Sequence, residues 1–136
     1  MHSEYKKLIE LSIKARKFSY SPYSEFSVGA ALLTKDNKIF TGTNIECASY
    51  SLSICAERVA YSKAVSEGYK KFKAVAISSS ADDFTFPCGA CRQFMAEFGI
   101  ETDILLVKSK SMVKSFKLSD LLPGVFDKKY LFNSKK

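Results

Sequence analysis

Two short cysteine stretches 33 positions apart restrict this chain more than anything else in it: Cys55-Ala56-Glu57-Arg58 and Pro87-Cys88-Gly89-Ala90-Cys91-Arg92-Gln93. Cys88 and Cys91 stand at i and i+3, so one helical turn places both sulfurs on the same face. Pro87 is the residue type expected where a helix begins. Thiols at helix starts face exposed N–H groups and the positive end of the macrodipole, which favours thiolates. The fold must therefore bring two helix starts together. Glu57 stands two residues past Cys55, and i,i+2 positions do not share a helix face. That places it beside a metal rather than in its shell. Three thiolate ligands, an open fourth position and a nearby carboxylate describe a catalytic metal site.

Composition supports one domain and narrows its setting. A chain of 136 residues with 46% hydrophobic content can bury a full core. No apolar run approaches a membrane span, and the N-terminus lacks the apolar stretch of an export signal. A cytoplasmic setting is expected, where a metal role for cysteines outranks disulfides. The net charge of +7 invites a polyanion partner, so its location matters. Residues 1–17 carry +3 and residues 128–136 carry +4, which leaves residues 18–127 neutral. The excess reads as solvated ends, and nucleic acid is not the expected partner. His2 is the sole histidine, which removes histidine-based general-base and Ser-His-Asp schemes.

Along the chain, Leu8, Leu11, Ala15 and Phe18 recur at helical spacing and predict a helix over 3–19. Pro22 breaks it. Phe26 to Leu33 is a β-prone run, Lys35-Asp36-Asn37-Lys38 a hairpin turn, and 38–45 the return strand. Gly29 inside the first strand implies a bulge or a close backbone approach. A second helix is expected over 54–67 with Gly68 as its stop, and a third over 88–98 ended by Gly99. Ala74-Val75-Ala76-Ile77 and Ile104-Leu105-Leu106-Val107 read as buried strands. Met112 to Phe116 is a weaker strand, and 118–122 a short helix stopped by Pro123-Gly124. The order α-β-β-α-β-α-β-β-α implies an α/β domain with helices on the faces of one sheet.

At the two cysteine stretches the chain resembles the zinc-dependent deaminases, whose pattern is a ligand, one residue, a Glu, and later Pro-Cys-x-x-Cys. Here it reads Cys55-x-Glu57 and Pro87-Cys88-x-x-Cys91. The surrounding Phe26-Ser27-Val28-Gly29-Ala30-Ala31-Leu32, Asn44-Ile45-Glu46 and Leu121-Leu122-Pro123-Gly124-Val125-Phe126 narrow the likeness. Together they resemble the small, homotetrameric type within the cytidine/deoxycytidylate deaminase family, from about residue 5 to residue 126.

The resemblance implies a three-layer α/β/α domain over residues 1–127, with a mixed five-stranded sheet and zinc-bearing helix starts meeting at one edge. Residues 128–136 would be a basic tail. It implies one Zn²⁺ per subunit on Cys55, Cys88 and Cys91, and Glu57 as the catalytic proton carrier. Phe26 would pack on the pyrimidine, while Asn44 and Glu46 would hold the ribose and Ala56 would add a substrate contact. Tyr50 would reach the ribose 5′ end and Phe126 a neighbouring subunit's site, which makes the expected partner a second copy in a homotetramer. Arg58 would hydrogen-bond the ligand sulfurs, because three thiolates call for a compensating positive group. The implied activity is hydrolytic deamination of cytidine and 2′-deoxycytidine in pyrimidine salvage.

Two alternatives share the cysteines. One is a zinc deaminase acting on another aminopyrimidine, in a nucleoside antibiotic or a nucleic acid base. The other is a non-catalytic zinc module binding nucleic acid, in which Cys47 closes a four-thiol tetrahedron.

Overall fold

The computed structural model describes residues 3–133. His2 and the last lysines of the basic tail lie outside them.

Helix α1 (Ser3–Ala15) is followed by a 3-10 turn at Arg16–Phe18, then β1 (Val28–Thr34), β2 (Ile39–Thr43), α2 (Ala56–Ser66) and β3 (Phe72–Ser79). The remaining elements are α3 (Gly89–Ala96), β4 (Asp103–Ser109), β5 (Met112–Lys117), α4 (Leu118–Leu121) and α5 (Lys129–Asn133). The sheet order is β2-β1-β3-β4-β5, with β3–β4 parallel and the other pairs antiparallel. This is the mixed five-stranded sheet that the resemblance implies.

Alternation along the strands divides the core into two layers. Ala30 and Leu32, Val75 and Ile77, and Ile104 and Leu106 face α2, α3 and α4. Ala31 and Leu33, Ala74 and Ala76, and Leu105 and Val107 face Leu8 and Ile9 of α1. The central strands are covered on both faces, which is why they read as continuous apolar runs instead of alternating ones.

Two glycines let the layers close. At Gly29 a Cβ would lie 2.1 Å from the Ser12 carbonyl oxygen and 2.9 Å from the Arg16 nitrogen. The expected close approach is thus the end of α1 crossing β1. Gly42 does the same on the opposite face, where a Cβ would lie 2.4 Å from the Ala56 carbonyl oxygen and 2.6 Å from the Ala60 nitrogen. The first turn of α2 therefore rests directly on β2.

Boundaries differ from the sequence expectations where side chains take over backbone partners. The first helix tightens into a 3-10 turn at Arg16–Phe18 and ends. Beyond it Tyr20 pairs in extended form with the chain after β2, its N–H donating to the Asn44 carbonyl and its carbonyl accepting from the Glu46 N–H. The first strand begins at Val28 rather than Phe26, because the Phe26 carbonyl accepts from the Asn44 side-chain amide at 2.8 Å. Within the expected basic tail, Lys129–Asn133 is helical, and the Phe126 and Tyr130 rings stack with centroids 5.3 Å apart.

Candidate active site

Cys55 and Cys88 are the N-cap residues of α2 and α3, each in extended backbone conformation. Cys91 follows in the first turn of α3, and its N–H donates to Cys88 Sγ at 3.4 Å. An aromatic cluster holds the two helices side by side. Tyr61 of α2 packs edge-on against Phe72 and Phe94, at 4.9 and 6.5 Å, and lies 5.9 Å from Phe98 beyond α3. The first turn of α2 rests on β2, an edge strand of the sheet. Helices α2 and α3 lie on the same face of the sheet and pack on the central strands.

The Sγ atoms of Cys55, Cys88 and Cys91 all lie within 4.8 Å of one another. Cys55 and Cys88 are 3.9 Å apart. Zinc–sulfur bonds of ~2.3 Å in tetrahedral geometry need sulfurs about 3.8 Å apart, so the donor set fits zinc. Cys47 does not join the group, and its N–H donates instead to Ser53 Oγ at 3.0 Å. A four-thiol tetrahedron is therefore not formed here.

Electrostatics divide the three sulfurs. A hydrogen bond from the Cys91 thiol, together with the Arg58 guanidinium, holds Cys55 well below the usual thiol range. Arg58 Nη2 donates to Cys55 Sγ at 3.6 Å. Cys91 is pushed up by donating to Cys55 and by its own burial. A dication placed among such sulfurs reverses that division and takes all three as thiolates. Glu57 is 4% exposed. Burial pushes its carboxyl up to about 7, against a backbone N–H bond and with the charge of Cys55 adding to the push.

Beside the sulfurs lies a cavity of about 250 Å³. Phe26, Asn44, Glu46 and Ala56 line it together with Cys55, Glu57 and Cys88, so most of the residues singled out in the sequence converge. The Asn44 amide is firmly placed, with Oδ1 accepting from the Val28 N–H and the Ser19 hydroxyl while Nδ2 donates to Phe26. Glu46 accepts from the Tyr23 and Ser24 N–H groups and from the Ser24 hydroxyl, which hold its carboxyl below the usual carboxylate range. Tyr50 and Phe126 are not on this wall. Tyr50 is 75% exposed in an adjoining shallow depression that shares Glu46 and Ser53 with the cavity, and Phe126 is 57% exposed beside α5.

Sequence reasoning missed Val28, Ser53, Ile54, Thr85 and Phe86, which complete the lining. Val28 lies in the run from Phe26 to Leu32, where it reads as one more strand residue. The others lie in loops without periodicity, and only the nearness of Thr85 and Phe86 to Pro87-Cys88 could have marked them.

The model of the family described as the cytidine and deoxycytidylate deaminase zinc-binding region matches residues 2–107. A Dictyostelium discoideum protein described as a probable cytidine deaminase is 48% identical over 129 residues, spanning 94% of this chain and 87% of its own. A cytidine deaminase of Sporosarcina psychrophila is 46% identical, spanning 94% and 95%. Among solved structures, the cytidine deaminase from Burkholderia pseudomallei superposes with a TM-score of 0.85 at 43% identity, over 93% of this chain and all of that one.

Proposed function

Because the chain belongs to the zinc-binding cytidine and deoxycytidylate deaminase family, we propose that it hydrolyses cytidine and 2′-deoxycytidine to uridine and 2′-deoxyuridine, releasing ammonia. The observation that carries this reading is Glu57, buried against three clustered sulfurs on the wall of a cavity that Phe26, Asn44 and Glu46 also line.

Cys55, Cys88 and Cys91 would hold the zinc, which supplies Lewis-acid activation of water near neutral pH. Glu57 takes the proton released as water adds to C4 of the pyrimidine and delivers it to ring N3. It then takes the proton of the new C4 hydroxyl and delivers it to the exocyclic nitrogen as the C4–N bond breaks, leaving a C4 carbonyl and ammonia. A carboxyl pushed up to about 7 can both accept and donate near neutral pH, which this double duty requires. Arg58 offsets thiolate charge through its bond to Cys55. Phe26 stacks on the base, Ala56 adds a backbone contact beside it, and Asn44 and Glu46 hold ribose hydroxyls.

The charged side chains lining the cavity are the two acids, Glu46 and Glu57. That favours a neutral nucleoside over a nucleotide or a nucleic acid strand. Tyr50 and Phe126 serve the site of a second copy, in a homotetramer with shared sites. Among the described residues no helix is long and apolar enough to cross a membrane. A cytoplasmic role in pyrimidine salvage suits these features.

An absorbance assay on cytidine, 2′-deoxycytidine and CMP, run with zinc quantification, tests the reading. Conversion of both nucleosides with about one zinc per chain and little action on CMP is the expected result. Zinc without turnover of any of them would overturn it.

A further inference from the structure

Phe86 is a large aromatic residue in the loop before Pro87, yet it belongs to neither core cluster and stays 45% exposed. It lines the cavity two positions before Cys88. Its ring is nonetheless held from two other directions. Phe116 of β5 lies with its ring centroid 5.5 Å away at a tilt of 49°, and the Arg92 guanidinium sits 5.9 Å from the Phe86 centroid. Arg92 is itself fixed. Its Nε donates to the Pro87 carbonyl at 2.8 Å and its Nη1 to the Leu121 carbonyl at 2.8 Å. One planar side chain of α3 therefore ties together the peptide leading into Cys88, the end of α4 and an aromatic wall of the cavity. A ring supported in this way and open toward a cavity offers a flat apolar face to a flat ligand.

We infer that Phe86 is a further substrate-contacting residue, forming a second aromatic wall of the base pocket beside Phe26, and that Arg92 is the positioning residue that holds this wall. The inference deepens the reading of the cavity as a pyrimidine nucleoside site and rests on it. Arg92 does not touch substrate. It acts through the Phe86 ring, using the geometry of a guanidinium that donates to two carbonyls while lying against an aromatic face. Lysine cannot reproduce that geometry, because an ammonium has no planar fork and reaches both carbonyls poorly.

The test is steady-state kinetics on cytidine for the wild type, Phe86→Leu, Arg92→Lys and the double variant, with zinc content, thermal midpoint and sedimentation measured for each. Wild-type turnover of cytidine checks the underlying reading by itself. Phe86→Leu is expected to raise KM about three- to tenfold, the scale of one lost aromatic contact, with kcat within about twofold and zinc unchanged. Arg92→Lys is expected to raise KM in the same direction. In the Phe86→Leu background it should add little, because it has no ring left to position. An unchanged KM in Phe86→Leu would overturn the inference. So would loss of zinc, which would make Phe86 a prop of the Cys88 loop, or an altered sedimentation coefficient with unchanged KM, which would make it an interface residue. Fully additive KM effects would overturn the role given to Arg92.

Discussion

Glu57 and Cys47 are the two residues whose replacement separates the chemistry from its framework. Glu57 is buried and its carboxyl is pushed up to about 7, so Glu57→Gln keeps shape and burial while removing the proton carrier. Turnover should fall by at least about 10²–10⁴-fold with zinc content unchanged, as read from kcat and metal analysis of the same preparation. Cys47 lies outside the sulfur group. Cys47→Ser should keep both zinc and activity, whereas Cys91→Ser should lose the metal. The clustering of Cys55, Cys88 and Cys91 with Glu57 nearby was legible in the sequence, because that spacing follows from helix geometry and suits thiolate chemistry. Phe86 was not, because a single aromatic residue in a loop has no period, and its role depends on Arg92 and Phe116 arriving from other elements.

At the level of elements, the position of α2 depends on Gly42 as much as on the aromatic cluster around Tyr61. A methyl group at Gly42 would strike the Ala56 carbonyl and the Ala60 nitrogen. Gly42→Ala is expected to cost about 1–3 kcal/mol in denaturant unfolding. It should also weaken zinc retention against a chelator, since the displaced turn carries Cys55 and Glu57. No sequence pattern marks this contact, because it arises only when α2 lies across β2. Gly29 could be read in advance because it interrupts a β-prone run.

A second set of ties joins α1 to the far side of the sheet. The Tyr5 hydroxyl donates to Asp103 Oδ2 at 2.7 Å, and Lys117 Nζ lies 2.7 Å from Asp103 Oδ1. Burial works against the Asp103 charge, but the Lys117 and Tyr5 contacts outweigh it and hold the carboxyl below its usual range. The stabilisation is therefore present above the unfolded-state value of about 3.9 and is lost as pH falls through the lower folded value. Solvent reaches both partners, so the contribution is at most about 1 kcal/mol. The difference in thermal midpoint between wild type and Asp103→Asn should be largest near neutral pH and should shrink below about pH 4.

For the whole molecule, the outward-facing aromatic and aliphatic residues are the feature to explain. Phe18, Tyr50, Leu52, Phe126 and Phe132 are all more than half exposed. If Phe126 completes a neighbouring subunit's cavity, two inactive variants should rescue each other. Mixing Glu57→Gln with Phe126→Ala under subunit-exchange conditions should give activity above the sum of the separate samples, because some cavities then combine an intact Glu57 with an intact Phe126. The chain order of the elements and the buried strands were legible from apolar runs and breaks, the mixed five-stranded sheet only by resemblance, and the strand order within it not at all. Of the outer aromatic residues only Tyr50 and Phe126 were legible, and those by resemblance, whereas Phe18, whose spacing suggests the apolar face of the first helix, is 71% exposed.

The helix starts bearing Cys55 and Cys88 are separated in sequence by α2, β3 and the intervening loops, and β3 is paired with both β1 and β4 in the sheet beneath them. During refolding, competence to retain the metal should therefore arrive late, after the sheet has formed. Metal uptake by a folding chain would then serve as a clock for completion of the central strands rather than as the event that starts them.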